Sequence, residues 1–223
     1  MSLLDDEALW SSSVVANCEM NRERGLASYR RELGADLALR SGARWVDLCC
    51  GSGKALAEAA RDDVTIIGVD LVDHHVPARP GLSFVVAPVD QWEPAEPADL
   101  VTCVHGVHYV GDKLGLLARA ASWLTPTGRF VASFDVDGVR RADGTPFGRT
   151  LTKALREAGF SYDGRKRLVG YEGAGRPRLP FAYLGADDKA GPNYTGQPAV
   201  HSRYEPLRAA MRPRDPRPRR GRP

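Results

Sequence analysis

No stretch of the 223 residues approaches the roughly 18 consecutive apolar positions that a membrane-spanning helix needs. The opening Met1-Ser2-Leu3-Leu4-Asp5-Asp6-Glu7 lacks the basic start of a secretory signal, so a cytoplasmic protein is expected. Cysteine is sparse: Cys18, Cys49, Cys50 and Cys103 include no pair at metal-ligand spacing and read as reduced, structural thiols. His74 and His75 stand together without a third ligand at helical spacing, which argues against a metal and assigns the pair to a solvated loop. A strong charge of one sign is missing too. The formal charge is +3, yet Arg212 to Pro223 alone holds six arginines against one aspartate, so the remainder is mildly acidic. That speaks against a broad basic surface for nucleic acid and leaves the Arg/Pro tail, 207–223, as a disordered extension with modest affinity for polyanions.

What is present is a core: 43% of the chain is apolar, enough for one folded domain. Its centre lies between Arg44 and Leu71. Trp45 to Cys50 is short and nearly apolar, as in a strand buried on both faces of a parallel sheet, with Asp47 its one acid. Gly51-Ser52-Gly53 gives a turn through which backbone can approach a ligand. Lys54 to Arg61 is rich in helix formers, and Val64 to Val69 is a second apolar run closed by Asp70. Strand, glycine turn, helix, strand and acid make a nucleotide-binding βαβ unit, with the acid placed for a ribose diol. A dinucleotide is disfavoured, because the fingerprint Gly-x-Gly-x-x-Gly started at Gly51 meets Leu56 at its last place. Asp47, just ahead of the turn, repels phosphates and suits a cationic ligand such as S-adenosylmethionine.

Val46-Asp47-Leu48-Cys49-Cys50-Gly51-Ser52-Gly53, followed by Gly68-Val69-Asp70, resembles the first two motifs of the class I S-adenosylmethionine-dependent methyltransferases, with Cys49 where the first glycine of the pattern stands. The resemblance implies an α/β, Rossmann-like, seven-stranded mixed sheet, mostly parallel with an antiparallel last strand, and helices on both faces. It implies that Asp47 and the turn of Cys49, Gly51, Ser52 and Gly53 hold the methionine end of the cofactor. Asp70, with Leu71 beside it, would take the ribose hydroxyls. Asp90 would meet the adenine amino group, and Gln91 or Trp92 would line the base. Trp92 reads equally well as a packing residue.

Residues 1–41 form an expected helical cap. Ser11 to Ser13 are placed to cap a helix through Val14, Cys18 and Asn21, and Leu26, Tyr29, Leu33 and Leu37 follow at helical spacing. In the resembled family such helices cover the cofactor, which makes Asn17, Tyr29 and Arg30 candidates to face the acceptor. The cofactor-binding domain is expected over 42–188. Leu82 to Val89 and Asp99 to Gly106 read as strands three and four, Lys113 to Leu124 as an amphipathic helix ended by Pro126-Thr127-Gly128, and Arg129 to Phe134 as strand five. Asp135 to Thr145 reads as a flexible connection and Thr150 to Ala158 as a helix. Tyr162 to Tyr171 and Leu179 to Leu184 are the last two strands, expected as an antiparallel hairpin at the sheet edge. Segment 189–206 mixes turn formers with Tyr194, Val200, His201 and Tyr204; it is too apolar for plain disorder and is expected to fold back as a lid or a partner contact.

The carboxyl ends of strands in such a sheet are where ligands meet chemistry, and His105-Gly106-Val107-His108-Tyr109 lies there. An imidazole can take the proton of an acceptor hydroxyl or amine, so His105 and His108 are the catalytic candidates. The alternative is that His105 packs under the cofactor while His108 hydrogen-bonds the loop. His108, Tyr109 and Tyr194 are further candidates to meet the acceptor. The end of strand four lacks the Asn/Asp-Pro-Pro-Tyr/Phe run of amide and base amino methylation and the Pro-Cys pair of the cytosine-C5 type. The leading expectation is methyl transfer to a small-molecule hydroxyl or amine of secondary metabolism. RNA methylation with the arginine tail as tether, and a nonenzymatic cofactor-binding interaction module, stay as alternatives; monomer and homodimer are both open.

Overall fold

Trp45, Val46, Asp47 and Leu48 expose no surface, so β1 (Arg44–Leu48) is buried on both faces as its apolar run predicts. The computed structural model describes residues 3–16, 24–34 and 36–207. After β1 come β2 (Thr65–Asp70), β3 (Leu82–Val86), β4 (Ala98–Cys103), β5 (Leu124–Ser133), β6 (Val139–Arg141), β7 (Ser161–Asp163), β8 (Leu168–Glu172), β9 (Phe181–Asp187) and β10 (His201–Pro206). The helices are α1 (Asp6–Trp10), α2 (Leu26–Leu33), α3 (Lys54–Ala59), α4 (Lys113–Ser122) and α5 (Arg149–Glu157). Seven strands form one sheet in the order β3-β2-β1-β4-β5-β8-β7. β1 to β5 are parallel and β8 runs antiparallel to β5 and β7, which is the expected mixed sheet. The strand order reverses between β1 and β4, and a crevice at that point receives ligands in sheets of this kind.

Each face of the sheet has its own core. On one, Tyr29 and Leu33 of α2 and Ala55 and Leu56 of α3 pack with Trp45, Ile66 and Leu100. On the other, Leu114 and Leu117 of α4 and Leu151 and Leu155 of α5 pack with Val46, Val101 and Phe130.

Strands six and seven of the sheet are not Tyr162–Tyr171 and Leu179–Leu184; the first of those runs is itself the hairpin β7–β8. Asp163 opens its turn by accepting the amide hydrogens of Arg165 and Lys166 at 2.9 and 3.1 Å, so Asp163-Gly164 is a hairpin signal in the middle of what reads as one strand. Leu179–Leu184 falls largely in β9, part of a second sheet of order β6-β10-β9. β6 arises inside the supposed flexible connection, just after a 3-10 turn at Val136–Gly138. Pro126-Thr127-Gly128 does not end α4. It forms the irregular start of β5, where Ala98 pairs with Leu124 but Leu100 pairs with Arg129. At the front of the chain Asp5 caps α1, and Ser11 to Ser13 follow that helix rather than start one. Cys18, Asn21 and the tail from Arg212 lie outside the described residues.

The second sheet is fastened beside the crevice. Lys113, 1% exposed, donates through Nζ to the carbonyls of Val110 and Val200 at 2.7 and 2.9 Å and to Ser202 Oγ at 3.1 Å. Tyr204 of β10 donates to Asp112 at 2.8 Å and accepts the amide hydrogen of Leu114 at 3.0 Å, at the start of α4. β10 therefore holds the loop that follows β4. Among the described residues no helix is long and apolar enough to cross a membrane.

Candidate active site

A cleft of about 300 Å³ opens at the carboxyl ends of β1, β2 and β4. Its floor is the turn after β1. There Cys49, Gly51 and Gly53 all take positive φ values, 54°, 60° and 72°. A Cβ on Gly53 would lie 2.3 Å from the Phe84 ring, so that position tolerates no side chain. Asp70, at the end of β2, fixes the turn by accepting the amide hydrogens of Gly51 at 2.8 Å and Val72 at 3.2 Å. Burial raises the Asp70 pKa against the pull of those amides. Each carboxylate oxygen keeps a lone pair beyond its amide bond, and the residue lines the cleft.

Asp47 stands elsewhere than its place in the sequence suggests. It is fully buried behind the turn; Tyr29 donates to one carboxylate oxygen at 2.8 Å, and the Thr102 hydroxyl, itself receiving Trp45 Nε1–H at 2.7 Å, donates to the other. Burial pushes its pKa up to about 7, against the hydrogen bonds of Thr102 and Tyr29. With both oxygens engaged and no exposed surface, Asp47 buttresses α2 and β4 from beneath the floor and does not line the cleft. Ser52, also buried, and Gly53 support the turn from the far side, where the Ser52 carbonyl accepts the amide hydrogen of Val76 at 2.8 Å. His75, expected in solvent, has a side chain 6% exposed, stacked on Phe84 with ring centroids 4.4 Å apart.

At the other end Leu71, Val89 and Asp90 line the cleft. Trp10 Nε1 donates to Asp90 Oδ2 at 3.3 Å, while Asp90 Oδ1 is buried and unpartnered among the described residues. A buried acceptor without a donor costs about 1 to 3 kcal/mol. Gln91 is exposed and off the cleft. Trp92 turns into the core, edge-on to Trp123 at 5.9 Å, and its carbonyl accepts Arg119 at 2.6 Å, so neither residue lines the cleft.

The wall after β4 carries His105, whose left-handed φ of 60° is unusual for a residue with a side chain. Its Nε2 lies 2.6 Å from Glu32 Oε2 on α2. Arg24, Tyr29, Glu32 and Tyr109 share this end of the cleft with it. His108 does not line the cleft. It is 3% exposed, its Nε2 has no partner among the described residues, and burial lowers its pKa to about 3. A buried neutral ring of that kind supports the loop and does not reach an acceptor. Tyr194, from the connection between β9 and β10, packs edge-on to His108 at 5.4 Å and lies under the Arg167 guanidinium at 4.0 Å; its neighbours Asn193 and Thr195 reach the cleft. Arg30 is on the exposed side of α2, and Asn17 lies outside the described residues. Sequence reasoning missed Glu32 and Trp10. Ser28, four residues before Glu32 and bonded to it at 2.7 Å, is a faint helical cue for the first; Trp10 gave none.

The glycine turn fixed by Asp70 and the crevice at the strand reversal have the arrangement at which Rossmann-like sheets receive ligands. The methyltransferase domain family matches residues 19–143, more than half of the chain, and the chain belongs to that family, whose cofactor is S-adenosylmethionine. A trans-aconitate 2-methyltransferase of Rhizobium leguminosarum bv. trifolii (strain WSM2304) is 30% identical over 125 residues, 53% of this chain and 47% of that protein. The protein of the same name from Rhizobium etli (strain ATCC 51251) gives the same figures. The chain thus spans about half the length of the curated relatives it matches. Magnesium protoporphyrin IX methyltransferase of Synechocystis PCC 6803, solved with its bound cofactor, superposes with a TM-score of 0.50 at 16% identity over 76% of this chain and 98% of that one, which shows a shared fold.

Proposed function

We propose that this protein transfers a methyl group from S-adenosylmethionine to a small-molecule acceptor bearing an O–H or N–H, in the cytoplasm. The observation that carries the reading is the Asp70 carboxylate, held by two backbone amides at the mouth of the glycine turn with lone pairs to spare for a ribose diol. The Asp90 carboxylate on the cleft lining suits an adenine amino hydrogen, and Leu71 and Val89 supply apolar surface beside it. When bound, the cofactor supplies an electrophilic methyl on a sulfonium that is also its leaving group.

The chain's own contribution is placement and dryness. Asp47, bonded to Tyr29, braces the floor from below; Trp10, Val15 and Arg24 line the cleft from the front of the chain, and Asn193, Thr195 and Gln197 line it from the side of the second sheet. His105 stands where an acceptor proton can be taken. The cleft is small and bordered by both Asp70 and Asp90, which favours a compact acceptor over a nucleic-acid strand. The free thiols Cys49, Cys50 and Cys103 fit a reducing compartment.

Two measurements test this. Calorimetry with S-adenosylhomocysteine should show one site per chain, and methyl-labelled S-adenosylmethionine incubated with protein-free metabolite fractions should label a low-mass compound. Label recovered only in RNA or protein would defeat the small-molecule reading.

A further inference from the structure

We propose that Glu32 is the positioning residue for His105, fixing the imidazole so that Nδ1 accepts the acceptor's proton; the inference rests on the methyltransferase reading of the same cleft. Glu32 sits on α2 and His105 just past β4, 73 residues later, yet Oε2 and Nε2 are 2.6 Å apart. The other carboxylate oxygen is not idle: Ser28 Oγ donates to Oε1 at 2.7 Å and Arg24 Nε lies 3.3 Å from it. The carboxylate is thereby held in one orientation from its own helix and aimed across the cleft.

Its charge state supports the assignment. Despite the opposing effect of partial burial, the hydrogen bonds of His105 and Ser28 and the charge of Arg24 hold the Glu32 carboxyl down to about 2, so it is ionised at any working pH. An ionised carboxylate can only accept, which places hydrogen on His105 Nε2; in the neutral ring the lone pair is then on Nδ1. A proton leaving an acceptor O–H or N–H goes to Nδ1, and the imidazolium so formed points its Nε2–H at an existing anion. A lone pair of the acceptor heteroatom would form the bond to the methyl carbon while the carbon–sulfur pair would leave with sulfur, and the electron pair of the former O–H or N–H bond stays on the heteroatom. The proton later leaves Nδ1 for solvent, restoring the neutral ring.

The backbone of His105 adds a second observation. At φ 60° it pays a strain of order 1 to 3 kcal/mol that persists only where the surroundings impose it, and such residues gather at working sites. The groups facing this ring are Glu32 and Arg24 from α2 and its lead-in, His108 from the same loop, and Tyr194 with Arg167 behind it. His108 is neutral and Arg167 is spent on Tyr194 and Asp135, so Glu32 is the anion in contact with His105. The class of acceptor follows. A carboxylate acceptor arrives without a proton and has no use for this pair, whereas a neutral hydroxyl or amine does.

The test uses the full chain with ring-15N histidine, His105 being assigned by its loss in His105→Gln. Long-range 1H–15N spectra should show neutral wild-type His105 with hydrogen on Nε2. Glu32→Gln retains an accepting oxygen and should keep that tautomer, whereas Glu32→Leu should move at least half the population to the Nδ1–H form. His105 found as Nδ1–H in the wild type, or an unchanged ratio in Glu32→Leu, overturns the assignment. S-adenosylhomocysteine titrated into the wild-type sample should bind at one site per chain. No binding to the wild type rejects the methyltransferase reading, whereas normal binding with an unresponsive tautomer rejects this inference alone. With the metabolite fraction that takes up label as probe, Glu32→Leu should lose at least about tenfold in transfer rate at saturating cofactor, and Glu32→Gln, which keeps the tautomer, should recover part of that loss. Rates within threefold of wild type would reduce Glu32 to a staple between α2 and the sheet.

Discussion

Cys49 stands where the methyltransferase motif has glycine and still adopts the left-handed backbone of that turn, at φ 54°. A left-handed conformation costs a residue with a β-carbon about 1 to 2 kcal/mol, and more when that carbon is branched. Its thiol packs beside Cys103 and under Gly106, where a Cβ would lie 2.3 Å from Cys49 Cβ and 2.8 Å from Cys103 Sγ. Cys49→Gly exchanges that packing for relief of strain and is expected within about 1 kcal/mol of wild type, while Cys49→Val loses at least about 2 kcal/mol. Urea midpoints of the two variants check the order, and equal losses would mean that the turn is unstrained. His108 offers a second reading at this scale. Its pKa falls from 6.5 to about 3 in the fold, so in that window the unfolded chain binds a proton that the native ring refuses. Stability therefore drops as the pH falls from 6.5 towards 3. His108→Phe should flatten that decline between pH 7 and 4, and an undiminished slope would show the ring to be accessible to protons. Residues of the cofactor turn were legible because glycine spacing and apolar runs report backbone constraints. Glu32 was not, since a glutamate on an amphipathic helix looks like any solvated side chain until the fold brings His105 against it.

At the scale of elements the informative piece is β10. It is held by Lys113, which sits wholly inside the protein and donates to three oxygens. Burial brings this lysine down from 10.5 to about 7, with Asp112 and Asp135 pulling the other way. Between those values the unfolded chain carries a proton that the native one has shed, so this residue makes stability rise with pH from about 7 to 10.5. Lys113→Met leaves the Val110 and Val200 carbonyls without their donor, and should lower stability at pH 7 and abolish the gain seen in wild type at pH 9.5. Chemical denaturation at the two pH values decides it; a gain that survives in the variant would assign it to another group. The parallel strands and α3, α4 and α5 could be read from apolar runs and helix formers to within a few residues. The hairpin β7–β8 was hidden because Asp163-Gly164 interrupts a run that otherwise reads as one strand. β6 was hidden because Val139-Arg140-Arg141 has no apolar alternation to mark it, and it exists through pairing with β10 some sixty positions away.

For the molecule as a whole, cofactor binding and folding are linked. A ligand present at one hundred times its dissociation constant adds about 2.7 kcal/mol when it binds the native state alone. S-adenosylhomocysteine should raise the unfolding free energy of wild type by that amount, and Asp70→Ala should lose most of the increment at the same concentration. An increment that survives in the variant would move the ribose contact elsewhere. The glycine turn is fixed by Asp70 at the end of β2, whereas the opposite wall is clamped through Lys113 by Val200 and Ser202. The two sides of the cleft are thus fastened independently, one by a carboxylate near the start of the sheet and the other by residues some hundred and thirty positions later.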